Sequence, residues 1–286
     1  MYINSTGYYV PELRVNNDYF LNVNGLSDEW IYKRTGIRSR SKAAEDEGHN
    51  SMGIASIEDA VKSLPYDIKD VDLIVSASYS PYDTVATLAH VAQQKFGIEG
   101  ARAVYVSAAC SSFVNGLEIV ETYFAAGKAT KALLICSEHN TYYSNEHDPK
   151  AGHLWGDAAV AYFLSKDKVS DSDVEVKAIY TCGLGNVGKG PEGVILRPKE
   201  NGIEMPDGRD VFVNACTYMI KALDRVTAPY GMKPADLDYI ITHQANKRIV
   251  AQVAHQLDLA DDHFLNNIEE YGNTGSASCA LVFAEN

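Results

Sequence analysis

Apolar and polar positions along this chain follow two rhythms. Apolar residues three or four apart predict amphipathic helices at Ser51 to Leu64, Thr87 to Phe96 and Val211 to Thr227. Short runs dense in Val, Ile, Leu and Ala predict strands at Asp72 to Ala77, Ala103 to Ser107, Ala132 to Ser137 and Asp157 to Leu164. Strands that alternate with helices in this way predict an α/β fold with a largely parallel sheet. After the Ala103 to Ser107 strand, small residues lead into a helix read from Cys110 through Val120.

The pattern then repeats. Asp236-Leu237-Asp238-Tyr239-Ile240-Ile241-Thr242-His243 echoes Asp70-Val71-Asp72-Leu73-Ile74-Val75-Ser76-Ala77 almost position for position. Gly275-Ser276-Ala277-Ser278-Cys279-Ala280-Leu281 opens a helix as Cys110-Ser111-Ser112 does. The chain therefore divides into two pseudo-duplicated halves, residues 1–170 and 171–286, and a ligand belongs where the carboxyl ends of their strands meet. After the Cys110 helix the first half supplies two more strands, whereas the sequence stops at Asn286. The expectation is a second sheet short of its C-terminal hairpin, with an open edge.

With 286 residues and 46% hydrophobic content, there is enough chain for one large domain or two similar ones. No apolar run reaches the roughly 18 residues of a membrane span, and no basic stretch followed by an apolar one opens the chain, so a cytoplasmic protein is expected. The five cysteines (110, 136, 182, 216 and 279) show no C-x-x-C spacing and are expected to be reduced. A net charge of −13 argues against a general nucleic-acid binder. The densest cationic run, Lys33, Arg34, Arg38, Arg40 and Lys42, with Lys247 and Arg248 as candidates to join it in space, is the best candidate for docking an acidic partner; the competing reading is a solvated face.

Cys110 is the first candidate for chemistry. A thiol at a helix N-terminus faces free N–H groups and the positive end of the dipole, so its pKa is expected to fall, as a covalent nucleophile requires. The competing reading is a small core residue. Two polar motifs that follow apolar runs favour the first: His243-Gln244-Ala245-Asn246 and Tyr271-Gly272-Asn273-Thr274-Gly275-Ser276. A Cys, a His and an Asn at three strand ends supply a nucleophile, an acid/base and an oxyanion donor. Gly183-Leu184-Gly185-Asn186-Val187-Gly188 matches G-x-G-x-x-G, but Lys189-Gly190-Pro191 follows in place of a helix, which argues against a dinucleotide site. Glu138-His139 and Glu146-His147-Asp148 fit no metal-ligand spacing and read as surface loops.

Cys110, His243-Gln244-Ala245-Asn246 and Gly272-Asn273-Thr274 together resemble the active-site triad of the β-ketoacyl-acyl-carrier-protein synthase III family, within the thiolase superfamily. Ser27-Asp28-Glu29-Trp30-Ile31, with Arg34-Thr35-Gly36-Ile37-Arg38, resembles its N-terminal signature, and Trp155-Gly156-Asp157-Ala158-Ala159 resembles its Phe-Gly-Asp-Gly-Ala turn. The resemblance implies a thiolase-like fold with mixed sheets sandwiching helices in a layered α-β-α-β-α architecture. It implies an acyltransferase that condenses an acyl primer with malonyl-acyl-carrier protein through an acyl-cysteine, initiating fatty-acid or related acyl-chain biosynthesis. Cys110 is then the nucleophile, and His243 and Asn273 donate hydrogen bonds to the malonyl thioester oxygen, with Asn246 in support. Trp30 stacks on the CoA adenine, and Arg34 and Arg248 meet its phosphates or pantetheine arm. No cofactor or metal is implied: acyl-CoA and malonyl-acyl-carrier protein are substrates. The expected partner is acyl-carrier protein, in a homodimer that binds neither nucleic acid nor membrane.

The chain departs from the family where an arginine beside the adenine is replaced by Pro149, with Lys150 nearest, and where Val85-Ala86 replaces a bulky Phe-Pro pair, which predicts a roomier acyl pocket. The family's C-terminal hairpin carries a Gly-rich loop whose N–H completes the oxyanion hole, and the sequence to Asn286 does not supply it. Two alternatives accompany the main reading: a related acyltransferase of secondary metabolism with a non-malonyl acceptor, and a non-catalytic partner of a synthase.

Overall fold

The computed structural model describes residues 1–286. Its first half runs β1 (Tyr2–Tyr9), β2 (Arg14–Asn16), α1 (Asp18–Val23), α2 (Asp28–Thr35), β3 (Ser39–Ser41), α3 (His49–Val61), β4 (Leu73–Ala77), α4 (Leu88–Phe96), β5 (Arg102–Val106), α5 (Ser112–Ala125), β6 (Lys131–Glu138), α6 (Asn140–Tyr143) and β7 (Ala158–Ser165). There follow β8 (Val174–Glu175), β9 (Ile195–Arg197), β10 (Gly202–Glu204), α7 (Gly208–Thr227), α8 (Lys247–Leu257), α9 (Ile268–Tyr271) and α10 (Ser278–Glu285).

Six strands form the central sheet in the order β5-β4-β6-β7-β1-β8. Every residue of β4 and β7 is buried, because helices cover both faces. Alternate residues divide between the faces. Ala158, Val160, Tyr162 and Leu164 pack toward Phe113, Val120 and Phe124 of α5 and Ala280 and Leu281 of α10. Ala161 and Phe163 pack toward Ile57 and Ala60 of α3 and Leu88 and Ala92 of α4. The approach of α3 to β1 is so close that a Cβ on Gly7 would overlap the Ala60 backbone.

The expected helices and first-half strands all form, but the sheet is mixed. β4 pairs in parallel with β5 and β6, whereas β7 runs antiparallel to β6 and β1, and β8 runs antiparallel to β1. A run of apolar residues reveals burial on both faces and carries no record of strand direction, which is why the sequence suggested a largely parallel sheet. The sheet also takes its last strand from beyond residue 170.

In the second half α7 packs on α8 around Cys216, Ile249, Val250, Val253 and Ala254. The segment that echoes β4 makes a single bridge, Ile240 opposite Phe264, bonded from Ile240 N to His263 O at 2.7 Å and from Leu265 N to Ile240 O at 3.2 Å. One edge partner at one residue gives a bridge, whereas β4 has ladders on both edges. The glycine motif at 183–188 is followed by a short 3-10 turn, Gly190–Glu192.

Candidate active site

The chain turns sharply between β5 and α5, and Ala109, immediately before Cys110, takes a left-handed backbone with φ 51°. For a residue with a Cβ that conformation costs on the order of 1 kcal/mol, strain that the surrounding packing sustains. Cys110 is half-buried. It lines a cavity of about 530 Å³ with Tyr79, Ala108, Trp155, Val194, Ile195, Leu196 and Ile203, a wall apolar enough to hold an acyl chain.

The thiol does not behave as its place in the sequence suggested. Burial pushes Cys110 up to about 12, and the neighbouring Glu138 carboxylate and Cys279 thiol push in the same direction. The helix begins two residues later than expected, at Ser112. The Ser111 and Ser112 N–H groups are already given to Ala108 O at 3.2 Å and Ala109 O at 3.1 Å. Donors committed to the turn cannot also stabilise a thiolate, so desolvation prevails over the helix dipole.

Glu138, read from sequence as a surface residue, is fully buried at the end of β6. Its carboxylate accepts from Ser78 Oγ at 3.0 Å, Tyr79 N at 3.2 Å and Ser80 N at 3.1 Å, and from the Ser80 and Ser276 hydroxyls. Burial still raises its pKa, and these donors oppose the rise. The carboxylate ties the loop after β4 to the Gly275–Ala277 turn. The only sequence signal was a Glu at the end of an apolar run, where a buried anchor and a loop residue look alike.

Asn273 lies two residues before that turn, 1% exposed. Its N–H donates to Leu154 O at 2.8 Å and its carbonyl accepts from Gly156 N at 2.9 Å, pinning it to Trp155, which lines the Cys110 cavity. Its Oδ1 accepts the Gly275 N–H at 3.0 Å, which leaves the Nδ2 amide as a donor that no protein acceptor meets. His243 leaves the Ile240 segment with Nδ1 2.7 Å from Ser278 Oγ. Burial lowers it to about 4, so the imidazole is neutral at pH 7. Gln244 holds the turn: its Nε2 donates to Thr242 O at 2.8 Å, and its Oε1 accepts from Asn267 N at 3.2 Å. Asn246 caps α8, accepting from Arg248 N at 2.9 Å.

A second cavity, of about 430 Å³, gathers the remaining candidates: Trp30, Arg34, Asn246 and Arg248 all line it, with His153, Phe212, Lys150 and Arg209. Ser27 caps α2 by accepting from Trp30 N at 3.2 Å, and the Arg34 guanidinium lies 4.1 Å from the Trp30 ring centroid. Four cations converge there, none in an ion pair, and no carboxylate lines the walls. Lys150 falls inside the cleft, where the sequence comparison missed an arginine. Arg209 was not singled out, since nothing in Asp207-Gly208-Arg209 separates a cleft residue from an ordinary helix start.

The basic run itself does not survive as a face. Arg40 is 2% exposed and donates to Val15 O, Asn17 Oδ1 and His153 O, each at 2.8 Å. Arg38 pairs with Glu269 and Lys42 with Glu146. No group of three or more His, Cys, Asp or Glu side chains is placed to hold a metal ion.

Comparison with known proteins bears on this arrangement. The model of the family described as 3-oxoacyl-[acyl-carrier-protein] synthase III matches residues 105–181, and that of its C-terminal region matches residues 228–286. A β-ketoacyl-[acyl-carrier-protein] synthase III of Acholeplasma laidlawii is 35% identical over 98% of this chain and 88% of its own length. The chain belongs to the β-ketoacyl-acyl-carrier-protein synthase III family. Solved structures agree with that membership. The 3-oxoacyl-[acyl-carrier-protein] synthase III of Aquifex aeolicus superposes with a TM-score of 0.89 at 30% identity, over 99% of this chain and 89% of that one. The Pseudomonas aeruginosa enzyme gives 0.87 at 32%, over 99% and 88%. The thiolase-like fold expected of a synthase III is thus the fold of this chain.

Proposed function

We propose that this protein condenses an acyl primer with malonyl-acyl-carrier protein through an acyl-Cys110 intermediate. The observation that carries the reading is the strained Ala109-Cys110 turn opening on an apolar cavity, with Trp155 linking that cavity to the unpartnered amide of Asn273. In the first step Cys110 Sγ attacks the thioester carbon, the bond to the CoA sulfur breaks, and the thiol proton leaves with CoA. In the second, malonyl-carrier protein loses CO2 and the electron pair moves toward its thioester oxygen. His243 and Asn273 act there as donors, and one such preorganised donor is worth about 10²–10³ in rate. The resulting carbon nucleophile attacks the acyl-Cys110 carbonyl, and Cys110 departs and takes up a proton.

The four-cation cleft beside Trp30 supports acyl-CoA as the primer, since its ligand is part aromatic ring and part polyanion. Arg248, exposed at the start of α8, suits an acidic carrier protein. A homodimer, a division of the chain at residue 170 and a cytoplasmic setting belong to the same reading. The dimer is supported by β5, which ends the sheet with one edge unpaired just before Cys110. No helix is long and apolar enough to cross a membrane.

The test is to supply acyl-CoA and malonyl-carrier protein together and follow CO2 and carrier-bound product by mass. CO2 stoichiometric with β-ketoacyl-carrier protein in the wild type, and loss of the β-ketoacyl product in Cys110→Ser, support the proposal. Acyl transfer without CO2 release contradicts it.

A further inference from the structure

We infer that Ser278 is a positioning residue for His243, holding the imidazole in the form that carries its proton on Nε2. The inference rests on the role proposed above for His243 and adds a residue to it.

Ser278 opens α10, directly after the Gly275–Ala277 turn, and is 1% exposed. Its hydroxyl oxygen lies 3.3 Å from Gln244 N and 2.7 Å from His243 Nδ1, and it also neighbours the Cys279 thiol. The Gln244 N–H is a donor only, so it takes a lone pair of Ser278 Oγ. Burial keeps the Cys279 thiol protonated and its sulfur a weak acceptor, so the hydroxyl proton goes to the stronger acceptor, Nδ1. An imidazole that accepts at Nδ1 bears its hydrogen on Nε2. No protein group meets Nε2, which is free to donate to a developing thioester oxyanion. The opposite tautomer would present a lone pair to that oxyanion and repel it.

Two further features support the assignment. His243 is neutral at pH 7, so it has a single N–H and the choice of nitrogen matters. The Gln244 backbone that orients Ser278 is itself fixed, through the buried Gln244 side chain, to Thr242 O and Asn267 N. Ser278 therefore connects the two motifs: the His243 segment on one side and, five residues after Asn273, the first turn of α10 on the other.

The wild-type protein labelled with ¹⁵N-histidine is the primary test, because two-bond ¹H–¹⁵N correlations separate a protonated ring nitrogen from a bare one, with His243→Ala assigning the signal. Nε2 protonated in the wild type, and a mixed signature in Ser278→Ala, is the expected result. In the same preparations malonyl decarboxylation should fall about tenfold in Ser278→Ala, less than the ~10²–10³ for losing a donor outright, with Cys110 acylation changed far less and Ser278→Thr restoring the rate. Nδ1 protonated in the wild type overturns the inference. So does a Ser278→Ala protein with unchanged tautomer and rate, or one that loses acylation and decarboxylation in equal measure. If His243→Ala decarboxylates normally, the proposed role of His243 itself falls, an outcome separate from these.

Discussion

At the scale of single residues, burial decides more than sequence position does. Cys110 at about 12 and Cys279 at about 11 are both raised by desolvation. The folded protein holds these protons more tightly than an unfolded chain, in which a thiol titrates near 8.5. Their contribution to stability is complete below that pH and is lost as pH rises toward 11–12. Urea midpoints should fall from pH 8 to pH 10 and fall less in Cys110→Ala; a midpoint equally pH-sensitive in both would contradict the assignment. Cys110, His243 and Asn273 could be singled out in the sequence because each follows an apolar run and opens on small or polar residues. Glu138 and Arg40 were not. Both are charged residues that look solvated in sequence and are buried by groups distant in the chain: Ser276 for Glu138, and the His153 carbonyl for Arg40.

At the scale of elements, the segment that carries Asn273 is held by close backbone approach. A Cβ on Gly156 would overlap the Tyr271 carbonyl oxygen. Gly156→Ala must therefore displace one segment from the other, at a cost of about 1–3 kcal/mol. Decarboxylation should suffer more than Cys110 acylation, because the displaced segment bears the amide donor. Equal losses in the two half-reactions would argue that Asn273 is not the group moved. The helices and β4 to β7 were legible from periodicity and apolar density, whereas the directions of β7 and β1 were not, being set by how the chain returns to the sheet. Residues 70–77 and 236–243 echo each other in sequence, yet only the first copy has partners on both edges.

At the scale of the whole molecule, a net charge of −13 coexists with a cleft of four unpaired cations. Reversing one of them should weaken CoA recognition selectively. Arg209→Glu is expected to raise KM for acyl-CoA about tenfold and leave KM for a short acyl-pantetheine thioester nearly unchanged; equal effects on both donors would place the nucleotide elsewhere. Acid stability reports on the core. His49 and His153, 3% and 2% exposed, are lowered to about 4 by burial, with the His139 and Arg40 charges adding to it. The folded state refuses protons that the unfolded chain accepts below about 6.5. Stability is thus full above that value and falls toward pH 4, by up to ~1.4 kcal/mol per pH unit for each histidine. Denaturant midpoints at pH 7.5 and pH 5 check this, and equal midpoints would contradict it.

The central claim is that Cys110 carries the acyl group between two substrates. Intact-protein mass, recorded after acyl-CoA and again after malonyl-carrier protein, tests it most directly. One acyl adduct is expected, absent in Cys110→Ala, that disappears when malonyl-carrier protein is added as β-ketoacyl-carrier protein appears. An adduct that persists in Cys110→Ala, or one that malonyl-carrier protein leaves in place, would contradict it.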